Sequence, residues 1–208
     1  MQKKNRPLII AITGGIASGK STFSKLIEEK GYRVYYTDKI GHDVLELDSI
    51  KKQIRENIGA EAFTNNKIDR KKLGEIVFSD KQKLAILNQI SHTKIREQIN
   101  SIIAESNEKI IFFEIPLLIE SNLQESFHYN ILITTDENIR TNRLINRDKI
   151  TKEKALRIIK NQMSDEIKKE YVDLIIDNSF SKKFLEAQTN IFRQMINLIP
   201  KRKTKKLN

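Results

Sequence analysis

The sequence predicts an α/β fold built on a parallel sheet, and three observations support that class. Five short segments have strand character, helical patterns separate them, and the first segment runs directly into a glycine-rich loop and a helix. Strands that alternate with helices form parallel sheets with right-handed crossovers, whose ligands lie beyond the carboxyl ends of the strands. The predicted strands are Leu8–Ile12, Arg33–Tyr36, Ile110–Glu114, Tyr129–Thr134 and Leu174–Asp177.

The first strand leads into Gly14–Ser21, which matches the phosphate-binding pattern G-x-x-x-x-G-K-[ST]. Glycines let main-chain N–H groups close around phosphate oxygens, and the positive end of the next helix faces them. A chance glycine-rich turn is the alternative, but the strand before it and the amphipathic helix after it favour a three-layer P-loop NTPase fold that binds a nucleoside triphosphate. The candidate nucleotide ligands are Gly14, Gly15, Ile16, Ala17, Ser18, Gly19, Lys20, Ser21 and Thr22, with the Ser21 hydroxyl suited to Mg²⁺.

Length and composition limit the classes of protein that fit. The 208 residues suit one domain over 1–200 and a basic tail over 201–208. Cysteine is absent, which excludes disulfides and thiolate zinc sites and fits a reducing cytoplasm. No apolar run is long enough to cross a bilayer, and the basic start Met1–Pro7 lacks the apolar segment of a signal peptide. We expect a cytoplasmic protein with no membrane partner.

The formal net charge of +11 has two interpretations, which are nucleic-acid binding and a site for polyanionic small molecules. Basic residues are spread along the chain except in the tail, and tails of this kind are typically solvated and disordered. No zinc-finger, RNP or KH pattern accompanies the charge. We expect no specific nucleic-acid partner, and a monomer or weak homo-oligomer.

Three helical regions lie between or after the strands. No strand pattern occurs between Leu47 and Glu105, and a long amphipathic helix carries its apolar residues there at three- and four-residue steps, namely Leu84, Leu87, Ile95, Ile99 and Ile102. This insertion, about 47–105, either builds an acceptor site or covers the sheet. The last helix, about 182–199, is expected to pack on the sheet through Phe184, Ala187, Ile191, Met195 and Leu198.

A second helical region, about 136–171, has a predicted break at Asp148–Thr151. Arg143 and Arg147 lie four residues apart and so share one helix face. Such a pair suits a lid that closes over phosphates, and a salt-bridged surface helix is the alternative.

Two carboxylates follow predicted strands at the edge where the loop lies. Asp38 can accept a hydrogen bond from an acceptor hydroxyl or orient water around Mg²⁺, or it can cap the next helix. Glu114 can hold metal-bound water or lie on the surface. The guanine-reading and switch motifs of GTPases are absent, so this short chain, with its insertion and lid, favours a small-molecule kinase.

The ordered motifs from Leu8 to Asn178 resemble the dephospho-CoA kinase family. T-G-G-I-x-S-G-K-S corresponds to Thr13–Ser21, D-A-D-x-I-A to Tyr36–Gly41, and P-L-L-x-E to Pro116–Glu120. The R-x-x-x-R-D lid corresponds to Arg143–Asp148, and the D-x-x-x-x-N element to Asp173–Asn178. The P-loop alone is generic, whereas this combination is much more specific. The I-x-H-P segment corresponds to Ile90–Thr93, and the later glutamine position to Gln162. Departures are Ala17 for glycine, Tyr36 for the first aspartate, Thr93 for the proline of I-x-H-P and Glu114 for an aspartate that is common at that position.

The resemblance implies transfer of the ATP γ-phosphoryl group to the 3′-hydroxyl of dephospho-CoA. It implies Asp38, Lys20, Arg143 and Arg147 as catalytic residues and Asn178 as a further nucleotide contact. The implied acceptor contacts are Thr13, Asp38, Leu117, Leu118 and Glu120. The alternatives are another P-loop kinase acting on a nucleoside or nucleotide, and a nucleotide-dependent nucleic-acid-binding protein.

Overall fold

A computed structural model describes residues 6–205 and residue 207. Its main sheet has five parallel strands in the spatial order β2-β5-β1-β6-β7, which confirms the predicted class and each of the five strands. The strands are β1 (Leu8–Thr13), β2 (Arg33–Tyr36), β5 (Ile110–Glu114), β6 (Tyr129–Thr134) and β7 (Leu174–Asp177). The first five residues of the basic start lie outside the described residues.

The central strand β1 is buried along its whole length, because it pairs with β5 on one side and β6 on the other. Strands covered on both faces read as continuous apolar runs, as the segments here do. The register pairs Ile12 with Glu114 and Thr13 with Leu132. The carboxyl ends of the three inner strands therefore meet at one edge of the sheet.

Residue contacts divide the chain into two compact units. The first holds the five-stranded sheet and, among the described residues, runs over 6–36 and 106–205. Its helices are α1 (Lys20–Glu29), α6 (Glu137–Asp148), α7 (Lys152–Lys160), α8 (Asp165–Lys169) and α9 (Lys182–Met195). The predicted break falls where expected, since Lys149 has a left-handed backbone and the Thr151 hydroxyl caps α7.

The second unit runs over 37–105 and includes residue 207. It contains α2 (Thr37–Leu45), α3 (Asp48–Asn57), α4 (Arg70–Ser79) and the long α5 (Lys81–Glu105). Sequence patterns missed its hairpin, in which β3 (Phe63–Thr64) pairs antiparallel with β4 (Lys67–Ile68). Two-residue strands are too short to show alternation. The Asn65-Asn66 turn, with φ of 50° and 61°, was the available signal.

The predicted packing face of α9 is wrong. Residues Phe184, Ile191, Met195 and Leu198 are 46–79% exposed, whereas the side chains buried in the core are Leu185, Thr189, Phe192 and Ile196. Both sets recur at helical spacing, so periodicity alone selects neither. Phe192 decides the orientation, because its ring lies 6.4 Å from Phe23 and 6.3 Å from Phe112 in the core.

The expectation of a solvated tail is also wrong for several of its residues. The Arg202 guanidinium donates to both carboxylate oxygens of Asp173, at 2.8 and 3.1 Å. The Lys205 amide donates to the Glu125 carbonyl, and the Asn100 amide donates to the Leu207 carbonyl. Lys206 and Asn208 lie outside the described residues. Over 6–205 and at 207, the structure contains no helix with the length and apolar character needed to span a membrane.

Candidate active site

The loop between β1 and α1 has the shape of an anion cradle. Helix α1 begins at Lys20, and its N-cap is Gly19, whose φ of 94° suits glycine and which offers no side chain to cap the first-turn amides. The positive end of the helix dipole therefore faces the loop, which suits an anion. The Lys20 ammonium lies over the loop and donates to the carbonyls of Gly14 and Gly15, at 2.9 and 3.0 Å.

Ile16 at the top of the loop is held through both of its main-chain groups. Its amide donates to Gln162 Oε1 at 2.7 Å, and its carbonyl accepts from Arg140 Nε at 3.0 Å. Arg140 is only 7% exposed and also lies 3.4 Å from Asp165. Burial raises the pKa of Asp165, although Arg140 and Lys168 act in the opposite direction.

The back of the loop is held by a second group of donors. The Ser18 carbonyl accepts from the Asn178 amide and from the Thr135 hydroxyl, both at 2.8 Å. Arg143 donates to the Ala17 carbonyl at 3.2 Å and to the Asn178 carbonyl at 3.1 Å. These contacts keep Ala17 at a φ of 60°, a left-handed conformation that costs a non-glycine residue free energy.

Glu114 joins the end of β5 to the first turn of α1. Its two carboxylate oxygens accept hydrogen bonds from Ser21 Oγ at 2.9 Å and from Ser24 Oγ at 2.6 Å. Glu114 is 7% exposed, so of its two interpretations the surface one is wrong. The cluster of Ser21 and Glu114 offers oxygen ligands of the kind that Mg²⁺ prefers.

The segment after β5 forms a turn over 116–122 that carries the P-L-L-x-E residues. The Thr13 hydroxyl donates to the Pro116 carbonyl at 3.3 Å. Leu117 is 48% exposed, whereas Leu118 is fully buried and anchors the turn. Glu120 lies 2.8 Å from the ammonium of Lys168, a side chain with no exposed surface.

The end of β2 carries Tyr36, and Asp38 follows two residues later. The Tyr36 hydroxyl donates to Glu28 at 2.9 Å, and its pKa is raised by burial and by that carboxylate. Tyr36 therefore adds no negative charge where the family pattern has an aspartate. Asp38 is exposed and lies inside the first turn of α2, which begins at Thr37, so the alternative in which it caps that helix is wrong.

Comparison with known proteins decides the family. The family model described as dephospho-CoA kinase matches residues 8–183. The chain belongs to the dephospho-CoA kinase family. A dephospho-CoA kinase of Fusobacterium nucleatum is 40% identical over 91% of this chain and 98% of that protein. A solved structure of a dephospho-CoA kinase from Campylobacter jejuni has a TM-score of 0.70 and 32% identity, over 91% of this chain and 97% of the other.

More distant structures show the fold alone. A shikimate kinase from Acinetobacter baumannii has a TM-score of 0.54 at 14% identity, covering 94% of this chain and 95% of its own. The predicted P-loop kinase fold, the family and an ATP-dependent kinase of coenzyme A biosynthesis are thus confirmed.

The resemblance implies that Arg143 and Arg147 of this chain contact phosphates together, and the structure gives the two side chains different partners. Arg143 contacts the loop, whereas Arg147 pairs with its neighbour Asp148 at 2.6 Å and has a half-exposed side chain. Asn178 supports the loop carbonyl of Ser18 rather than an open surface. Among the acceptor candidates, the exposed Leu117 is better placed than the buried Leu118.

Sequence reasoning missed four residues that shape this site, namely Ser24, Arg140, Gln162 and Lys168. The available signal for Arg140 was its position in the first turn after β6, at the same sheet edge as the loop. Ser24 lies three residues after Ser21, on the same helix face. Gln162 corresponds to a glutamine of the family pattern, which does not by itself predict a contact with the loop, and nothing in the sequence predicts a buried lysine at position 168.

The loop fits a polyphosphate, and the Ser21–Glu114 cluster fits Mg²⁺. Ser18 Oγ is buried and has no hydrogen-bond partner among the described residues, although it lies inside the cradle. Within the part of the chain that the structure describes, no group of three or more His, Cys, Asp or Glu side chains could hold a metal alone. A Mg²⁺ ion here would share its coordination with phosphate oxygens, as is usual for this cation.

Proposed function

We propose that this chain transfers the γ-phosphoryl group of ATP to the 3′-hydroxyl of dephospho-CoA, giving coenzyme A and ADP. The observation that carries the proposal is a complete phosphate cradle in a chain of this family. In phosphoryl transfer, catalysis consists mainly of positioning and charge stabilisation. The contacts of the loop would supply both, because they hold the main chain in place and bring the Lys20 ammonium to the loop.

The loop residues and Lys20 would bind the ATP phosphates. Amides of the first turn of α1 supply donors, and the lysine supplies a positive charge beside the transferred group. Arg140, Arg143 and Gln162 hold the loop through Ile16 and Ala17, so the cradle is fixed before it binds phosphate. Arg147 is the arginine of α6 that we assign to the transferring phosphate.

Asp38 is the candidate for the acceptor end. An exposed carboxylate in the first turn of α2 can accept the hydrogen bond of a ribose hydroxyl and orient its attack. This chain retains the second aspartate of the family's D-A-D segment as Asp38 and has Tyr36 in place of the first. A single carboxylate is sufficient for that role.

Ser21, oriented by Glu114, would hold Mg²⁺. The ion would neutralise charge on the phosphates. We also propose a cytoplasmic location, a monomeric or weakly oligomeric state and no specific nucleic-acid partner.

The test is a coupled ADP-release assay with dephospho-CoA and a panel of nucleosides and nucleoside monophosphates. We expect turnover with dephospho-CoA alone, and turnover of the monophosphates instead would reject the proposal. Asp38→Asn should lower turnover strongly and leave ATP affinity nearly intact, whereas Lys20→Ala should lower the affinity for ATP. Equal losses of ATP affinity in both variants would contradict this division of roles.

A further inference from the structure

Helix α8 carries two opposite charges that are withdrawn from solvent and point to different parts of the site. Asp165 at its start lies 3.4 Å from Arg140, which holds the ATP loop through the Ile16 carbonyl. Lys168, one turn later, has no exposed surface and lies 2.8 Å from Glu120 in the 116–122 turn. A five-residue helix is thus linked to the nucleotide loop through Arg140 and to the turn that presents Leu117 through Glu120.

A buried lysine is costly unless it is paired, so Lys168 constrains the position of Glu120. The contact is close but lacks hydrogen-bond alignment, because neither the Lys168 ammonium nor the Glu120 carboxylate oxygens have a hydrogen-bond partner among the described residues. Charge, rather than a directed hydrogen bond, holds the two together. Such a pair contributes little net stability compared with an apolar pair of similar size, which argues for a role in specifying position.

The turn itself is well ordered around this pair. Its amides at Ser121, Asn122 and Leu123 donate to carbonyls three to five residues earlier, at 2.9–3.0 Å. Leu118 and Ile119 are buried and fix its underside. The carboxylate oxygens of Glu120 are therefore buried, whereas Leu117 faces outward with 48% of its surface exposed.

We infer that Lys168 and Glu120 are positioning residues that fix the acceptor-binding turn relative to the ATP loop, with α8 as the shared support. Glu120 then acts through the turn and does not itself contact the acceptor. This inference rests on the proposed function for the identity of the acceptor. The two ion pairs of α8 then support different substrate sites. The Asp165–Arg140 pair supports the nucleotide site, and the Lys168–Glu120 pair supports the dephospho-CoA site.

The test uses the full chain and measures the KM values of both substrates. Lys168→Met should raise the KM for dephospho-CoA about tenfold and change the KM for ATP less than twofold, because a displaced turn misorients only the acceptor. Lys169→Met is the matched control. It removes a neighbouring lysine of the same helix whose partner Glu166 is exposed, and both KM values should stay unchanged.

The double variant Lys168→Met with Glu120→Gln separates a positioning role from a purely structural one. A purely structural role predicts that the KM for dephospho-CoA recovers together with stability. This variant removes both charges and should recover the stability that the single variant loses. We expect the KM for dephospho-CoA to remain raised and amide exchange at Ser121–Leu123 to be faster. Recovery of that KM together with stability, or equal changes in both KM values, would overturn the inference. Absence of turnover with dephospho-CoA in the unmodified chain would instead reject the proposed function.

Discussion

Two arginines of helix α6 each pair with an aspartate, Arg147 with its neighbour Asp148 and Arg140 with Asp165 of α8, and the two pairs differ in geometry and in burial. Arg147 and Asp148 make a close, two-pronged contact at 2.6 and 2.9 Å, whereas Arg140 and Asp165 are 3.4 Å apart. The close pair is exposed, and hydrogen bonding from Arg147 lowers the pKa of Asp148. The longer pair is withdrawn from solvent, and burial raises the pKa of Asp165. Good contact geometry is therefore a poor guide to which pair the fold depends on.

The largest expected effect is on the free energy of unfolding, which should depend on the Arg140–Asp165 pair and not on the Arg147–Asp148 pair. Arg140→Met should destabilise the protein by about 3–5 kcal/mol, because it leaves Asp165 without its partner and the Ile16 carbonyl without its donor. Arg147→Met, the matched control, should leave the midpoint of urea unfolding unchanged. Comparable losses in both variants would show that burial does not distinguish the pairs.

The second prediction concerns turnover, which should depend on Arg147, the arginine whose loss leaves stability unchanged. Arg147→Met should lower kcat by about tenfold or more without a loss of stability, since one charge-assisted phosphate contact contributes about 1.5–3 kcal/mol. Single-turnover measurements with saturating ATP would isolate the chemical step. Unchanged kcat would return Arg147 to the alternative of a salt-bridged surface helix.

The loop that Arg140 and Arg143 hold offers a smaller test. Ala17→Gly should stabilise the protein by up to about 1 kcal/mol, because glycine tolerates the observed φ of 60° although it gains more freedom in the unfolded chain. Thermal unfolding of the two proteins at one pH would measure the difference. A lower midpoint in the glycine variant would mean that the freedom glycine gains in the unfolded chain outweighs the strain relieved at this position.

The smallest effect concerns pH. A carboxyl whose folded pKa is raised contributes stability below its unfolded value, near 3.8, and loses it as the pH rises through the folded value. The stability of the unmodified protein relative to Asp165→Asn should therefore fall as the pH rises above about 3.8. Asp148→Asn should give the opposite slope, because the folded pKa of Asp148 is lowered. Urea unfolding at several pH values would show whether the slopes differ in sign.

The strands and the loop could be predicted because their signals are local. A buried parallel strand needs a continuous apolar run, and the P-loop needs its glycines, lysine and serine in fixed order. The orientation of α9 could not be predicted, because it carries apolar residues on two faces and the core accepts only one. Lys168 could not be found either, since its partner Glu120 lies 48 positions away in the sequence and only the folded chain brings them together.

Two glycines of the loop are fixed by different constraints, and this bears on how the loop can evolve. A methyl group at Gly15 would overlap the Arg140 guanidinium, a buried group that also holds the Ile16 carbonyl. A methyl group at Gly19 would overlap the Asn178 amide and would also meet the unfavourable φ of 94°. A lineage that exchanged Gly15 would have to move a side chain on which the loop depends, whereas one that exchanged Gly19 would have to accommodate both a side chain and an unfavourable backbone conformation.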